Sequence, residues 1–261
     1  MPNNHPCYGG IMAIKTNLII IASCAMLFLM PDGFSQSNRE IQPEPKYSFG
    51  FGFSDQVVTK YVPKIGSQLG DGFANQSMVH LSYAGFKLFG WGNWGIPETG
   101  FTGIVYGLQY KLKLPVKSER IKIDNMVAIN KYIFPSYDLD NWVADYFISI
   151  IGQVQTTFQY SHVFSGGTVE HGDRIYGIVN YPVRYTFLSQ TSIITPSISS
   201  TYNWDFYGKT GLAHLTFGLK NKLIIGRFSL NTFVNYQHSF ESIKLFLESG
   251  FYGGLGFALV F

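Results

Sequence analysis

Residues 251–261 place bulky apolar side chains at every second position. Phe251, Leu255, Phe257, Leu259 and Phe261 fall on one face with Gly253, and Tyr252, Gly254, Gly256, Ala258 and Val260 fall on the other. A period of two is the signature of a β-strand, whose side chains alternate between faces. The alternation recurs upstream, where the second face is polar. Ile104, Tyr106, Leu108, Tyr110 and Leu112 oppose Val105, Gly107, Gln109, Lys111 and Lys113. Ile121, Ile123, Val127 and Ile129 oppose Arg120, Lys122, Asp124 and Asn130. Val154, Thr156, Phe158 and Tyr160 oppose Gln153, Gln155, Thr157, Gln159 and Ser161, and Phe228, Leu230, Val234 and Tyr236 oppose Ser229, Asn231, Asn235 and Gln237. A soluble β-sandwich alternates too, but its solvent faces favour Lys and Glu. The faces here are Gln, Asn, Ser, Thr and Gly, the composition of a wet barrel lumen.

Composition narrows the class further. Charged residues are 13% of the 261, about half the soluble average. Aromatics are 17%, which excludes a disordered chain. After the first thirty residues no apolar run approaches the ~20 needed for a spanning helix. A net charge of +3 is too small for a nucleic-acid binder. A closed β-barrel is the remaining structure that meets lipid without helices. The expected fold is therefore all-β, a transmembrane antiparallel barrel.

The N-terminus reads as an address. Lys15 precedes the apolar run Leu18–Met30, which Pro31 closes. That run is too short to span a bilayer but fits the core of a secretory signal peptide. Cleavage is expected near Gln36, with Met12 as an alternative start. Residues 37–46 then form a short periplasmic lead-in and 47–261 the barrel. Cys7 and Cys24 both fall in the removed part, so no disulfide framework is expected. Ile21-Ala22-Ser23-Cys24 also fits a loose lipidation motif, which would put lipid on Cys24.

Parity locates the hairpins. Val79, Leu81 and Tyr83 are apolar at odd numbers, and Phe86 and Leu88 resume at even ones. A two-residue turn at Ala84-Gly85 requires that flip. Twelve strands are expected: 46–62, 76–83, 86–95, 102–113, 119–133, 144–151, 153–164, 173–185, 191–206, 211–221, 226–239 and 248–261. The break at Gly152 lacks a parity flip, but without it the count is odd, and bacterial single-chain barrels have even counts. Ten strands is the alternative. Short turns are expected at 84–85, 114–118, 186–190 and 222–225, with longer loops at 63–75, 134–143, 165–172 and 240–247. Short turns on one side and long loops on the other are the pattern of a bacterial outer-membrane barrel, with the short turns periplasmic. Both ends of the barrel segment fall on the short-turn side.

Two features make the class more specific. The apolar phase ending at Phe261 resembles the C-terminal signal read by the bacterial outer-membrane assembly machinery, carried here by Leu255, Phe257, Leu259 and Phe261. In addition, Thr59-Lys60-Tyr61-Val62, Leu69-Gly70-Asp71-Gly72, Gln76-Ser77-Met78, Ser82-Tyr83-Ala84-Gly85-Phe86 and Trp91-Gly92-Asn93-Trp94 follow one another in order. Gly211-Leu212-Ala213-His214 and Tyr252-Gly253-Gly254-Leu255-Gly256 come later. Together these segments resemble the TorF-type porin family of Gram-negative outer membranes over about residues 47–261. That family usually has Trp-Arg-Gly after the Tyr-Val pair, where this chain has Pro63-Lys64. The resemblance implies a barrel and suggests a pore, with no catalytic residues to transfer.

The expected function is a channel for small solutes, not an enzyme. Its expected partners are outer-membrane lipid, the assembly machinery and the solutes, with no nucleic acid. Parity puts Lys60, Lys111, Lys113, Arg120, Lys122, Arg174, Arg184 and Lys220 on the inward wall, against Asp124, Asp145, Asp205 and Glu248. An excess of positive charge would favour anions, and Arg174 and Arg184 stand as candidates for a constriction. One rival reading is a rim enzyme acting on lipid or peptide, to be tested at His162, His171 and His238; another is a structural or adhesive barrel whose lumen is plugged by side chains. Neither Ser161-His162 nor His238-Ser239 can pair within one strand, because neighbours point to opposite faces. His171-Gly172-Asp173 lies in a loop. Asp138, Asp140, Asn141 and Asp145 could offer oxygens to Ca²⁺ but lack the glycine and distal glutamate of a dedicated loop. A solvated loop anchored by Tyr137 and Trp142 is the simpler reading. Trp91, Trp94, Trp142, Trp204 and Tyr207 are expected in interfacial girdles. No cofactor or metal motif is present.

Overall fold

The computed structural model describes residues 49–59, 72–96, 100–112, 121–135, 139–166, 172–206, 208–240 and 249–261. The expected leader (1–36), the lead-in, and Lys60, Lys113, Arg120, Tyr137, Asp138, His171, Tyr207 and Glu248 lie outside them. The described strands are β1 (Gly50–Val58), β2 (Phe73–Tyr83), β3 (Phe86–Ile96), β4 (Gly100–Leu112), β5 (Lys122–Phe134), β6 (Leu139–Ile151) and β7 (Gln155–Gly166). They continue as β8 (Gly172–Asn180), β9 (Val183–Phe187), β10 (Gln190–Phe206), β11 (Lys209–Ile225), β12 (Phe228–Ser239) and β13 (Gly250–Val260). All pair antiparallel with their neighbours, β10 pairs β11, and β1 pairs both β2 and β13, so the sheet closes. Closure satisfies every edge, which is what a sheet in lipid requires.

Thirteen strands make twelve staves. Both β8 and β9 pair with β10, and in one register, Arg174↔Asn203 and Arg184↔Ile193. They are a single stave interrupted at Tyr181-Pro182. Proline has no N–H to give to the ladder, yet Tyr181 N–H still donates to the Pro196 carbonyl at 3.0 Å and holds the stave in line. The expected twelve strands are therefore present, with one split.

The turns explain the parity. Ala84 (φ 51°) and Gly85 (φ 88°) are both left-handed, as are Leu188 (φ 48°) and Ser189 (φ 62°). Positive φ at both central residues suits the two-residue hairpin turn. At Gly152 the connection has three residues, because Ile151 pairs with Gln155. An odd loop keeps parity, so the missing flip was no argument against a break. The turn expected at 222–225 is instead Gly226-Arg227, with Gly226 at φ 59°. Lys222 and Leu223 simply continue the alternation of β11. β6 also begins earlier than expected, so Asp140–Val143 are strand rather than loop.

Alternation sorts the wall as expected. Val79, Leu81, Leu88, Leu108, Ile129, Phe158, Val179, Phe217 and Leu255 are exposed on the outside. Ser54, Gln56, Gln76, Gln109, Asn130, Gln159, Thr216, Asn231 and Gln237 are buried inside. An apolar exterior around a polar interior is stable only with lipid outside. Trp94 and Trp204 stand exposed on the outer face. Trp91 does not join that girdle. The alternation of β3 turns it inward, where it packs against Phe89, Val105 and Phe134.

Candidate functional site

The lumen is built differently at its two ends. Toward the loops it is packed. Phe89, Val105 and Phe134 cluster with Trp91 and Tyr132, and Val143, Val163 and Phe206 form a second cluster that also touches Tyr132. A third joins Val58, Ala74, Phe233 and Tyr252. Gly103 makes room for Phe134: a Cβ there would lie 2.2 Å from the ring. Period two could not reveal these clusters, because they form where inward apolar residues of neighbouring strands meet.

Polar networks share that half. Gln56 Nε2 donates to Gln76 Oε1 (2.5 Å), Gln76 Nε2 to Asn93 Oδ1 (3.0 Å), and Asn93 Nδ2 to Thr102 Oγ1, an amide ladder across β1–β4. On β5–β8 Asp145 is the centre. It accepts from Asn130 Nδ2 (2.5 Å), Gln159 Nε2 (2.9 Å) and Ser161 Oγ (2.5 Å). Arg174 Nη2 donates to the same Ser161 at 3.0 Å, and the guanidinium lies 4.8 Å from the Phe206 ring centroid. Arg174 is 4% exposed and Asp145 4%. Arg174 faces inward as the buried member of a network that ends on a carboxylate.

Toward the short turns the wall is cationic. Lys111 and Lys122 both lie 3.3 Å from Asp124. Arg184 faces inward and is exposed to the lumen. Lys220 and Lys222 face inward on β11, opposite Thr195 and Ile193. Lys87 faces inward on β3, opposite Ser82 and Gln109. Sequence reasoning missed Lys222, assigned to a turn, and Lys87, which the strand-by-strand reading passed over. Arg174 and Arg184 share a face but stand ten residues apart, about 33 Å along the stave, so the two cannot form one ring. Asp205 is not a wall acid by simple alternation. It sits in a bulge at φ 50°, and Phe206 takes the inward place.

The other candidates are dispersed. Asp140 points outward beside Lys131, its ion-pair partner, while Asn141 and Asp145 point inward. Their oxygens diverge, and no described group of three or more His, Asp or Glu side chains could hold a metal. His238 faces outward with Nδ1 3.4 Å from Ser249 Oγ, and Ser239 is buried inside. His162 likewise points away from Ser161. It meets Asp173 across the strands instead, with Nδ1 2.9 Å from Oδ1.

The C-terminal strand carries its apolar phase outward. Phe257 packs between Phe228 (5.9 Å) and Phe53 (5.8 Å), and Phe261 lies 6.1 Å from Phe51. Leu255 and Leu259 share the face and pair with Val57 and Phe53. These residues line the seam where β13 meets β1.

In shape the chain is similar to known outer-membrane barrels. The KdgM porin superposes with a TM-score of 0.49 at 11% identity, over 80% of this chain and 98% of that one. The β domain of the Bordetella autotransporter Brka gives 0.40 at 10% identity, over 82% and 99%. The outer-membrane channel DcaP of Acinetobacter baumannii gives 0.32 at 8% identity, over 82% and 96%. No family model matches the chain, and no curated protein sequence does.

Proposed function

We propose that the protein is an outer-membrane channel for small solutes, narrow at its loop end and anion-leaning. The observation that carries this reading is the inward wall of the short-turn half. Lys87, Lys111, Lys122, Arg184, Lys220 and Lys222 face the lumen there, with Asp124 the one described carboxylate among them. Charge on a low-dielectric wall sets which ion is concentrated inside. The loop-side packing limits what passes to small molecules, and its apolar clusters suit a constriction that excludes water. The segments shared with the TorF-type porins support the same reading, as do the secretory leader expected at 1–36 and the assembly signal expected at Leu255–Phe261. Lys113 and Arg120 are proposed to extend the cationic wall, and Lys60, which follows the loop end of β1 in sequence, to add a cation at the other mouth.

The near-complete burial of Ser161, Asn141 and Val163, each at 0% exposure, favours a second reading, a barrel whose lumen is plugged by side chains. Planar-bilayer recording separates the two. A channel gives discrete steps with a reversal potential on the anion side in a salt gradient. A plugged barrel gives none.

A further inference from the structure

Outside the barrel, a polar cluster on β7 and β8 interrupts the apolar wall, as Asp55 with Asn75 and Ser77 does on β1 and β2. Tyr160 Oη donates to Asp173 Oδ1 at 2.5 Å, and His162 Nδ1 lies 2.9 Å from the same oxygen. All three face outward, on β7 and β8. Trp204 stands opposite Asp173 on β10, and its ring centroid is 4.6 Å from that of Tyr202. Both aromatics are exposed, at 43% and 37%.

The height of the cluster follows from the sheet. One register row runs from Phe51 through Leu88 and Ile129 to His162, Asp173 and Trp204. Phe51 lies at the short-turn end beside Phe261. With strands about 4.8 Å apart and tilted by about 40°, each strand crossed raises the row by about 3 Å. Asp173, seven strands on, stands about 20 Å above Phe51, near the far edge of an apolar band about 25 Å tall. That is headgroup level, where a hydrogen-bonded carboxylate is tolerable and hydrocarbon would penalise it.

We propose that Tyr160, His162, Asp173, Tyr202 and Trp204 form a lipid-facing site for the sugar headgroup of a glycolipid in the loop-side leaflet. The bonds already made leave Asp173 Oδ2 open as an acceptor. His162, with Nδ1 on the carboxylate, presents Nε2 as a lone pair or, when protonated, as an N–H. Sugar hydroxyls donate and accept, so they match both forms. Phosphate oxygens only accept and are repelled by Asp173. The Trp204 and Tyr202 rings offer apolar faces for the C–H side of a sugar ring and keep polar handles at the interface. Ala144, opposite His162, leaves that edge uncovered. Two donors hold the carboxylate in place, which lowers the ordering cost of binding.

The test uses the intact barrel in nanodiscs holding equal diglucosyl diacylglycerol and phosphatidylglycerol, with retained lipid read by native mass spectrometry. Preferential retention of the glycolipid by roughly tenfold is expected. Asp173→Asn combined with Trp204→Leu is expected to bring the ratio to about one, with single-channel conductance unchanged because the lumen is untouched. If that variant fails to assemble, Tyr160→Phe keeps the ring, removes only the donor to Asp173, and should lower the ratio roughly two- to threefold. Equal retention of both lipids by the natural protein overturns the proposal, as does a ratio that neither variant moves. Displacement by free maltose as efficient as by added glycolipid overturns its assignment to a membrane headgroup.

Discussion

The two halves of the lumen obey the same alternation and end in different physics. Toward the loops, inward side chains meet each other. Phe134, Val143, Val163 and Phe206 lose nearly all exposure, and Asp145 and Arg174 are shut in with their hydrogen-bond partners. Toward the turns, inward side chains are polar or cationic, and Arg184 stands exposed on the wall. Stability and ion preference therefore reside in different places. Removing a side chain from the loop half should cost folding energy. Removing a cation from the turn half should cost little energy and change what the lumen attracts.

The strongest perturbation lies on the outer seam, which both halves share. Phe257→Asp with Leu259→Asp places carboxylates on the lipid face, where the penalty is somewhat less than the about 2–4 kcal/mol of Lys or Arg at mid-bilayer and falls to about 0–1 kcal/mol near the interface, so Phe257→Asp carries most of it. Loss of heat-modifiable, membrane-inserted protein is expected; normal assembly would contradict the placement of that face. Next comes Asp145→Leu. It strips the acceptor from Asn130, Gln159 and Ser161 and leaves Arg174 buried without its linked carboxylate, at about 3–5 kcal/mol. Urea unfolding in lipid should show that loss, and a change below about 1 kcal/mol would mean the network is wetter than its burial indicates.

Phe134→Ala opens the apolar cluster under Trp91 and Tyr132. Core Phe→Ala changes cost about 3–5 kcal/mol, and the low end is expected because water can enter from the lumen. The same variant should raise conductance if the loop half is the narrow part. A smaller effect of opposite sign is expected at the turn Leu188-Ser189. Both residues hold positive φ without being glycine, so Leu188→Asn with Ser189→Gly should stabilise by about 1 kcal/mol. An unchanged unfolding midpoint would show that the turn is not strained.

Much of this was readable before any fold. Period two fixed which residues face lipid, and parity fixed the turn at Ala84-Gly85. Two kinds of feature were not readable. Trp91 reads as a girdle residue because Gly90 and Gly92 on its flanks hide the outward face of β3. Contacts between strands were also invisible: Asp145 reaches Ser161 and Arg174 only through the register of β6, β7 and β8, and His162 finds Asp173 only across β7 and β8. Alternation already separates His162 from Ser161, its neighbour in sequence, but only the register shows that its partner is Asp173, eleven residues away.

The separation of the two halves is tested most directly by reversal potentials in a salt gradient, comparing Lys220→Ser/Lys222→Ser with Arg174→Ser. The turn-half pair is expected to lose much of the anion preference and to move the unfolding midpoint less than Arg174→Ser does. Arg174→Ser is expected to keep the preference and lose stability. A channel whose selectivity follows Arg174 and ignores Lys220 and Lys222, or a natural protein that prefers cations, would contradict the account.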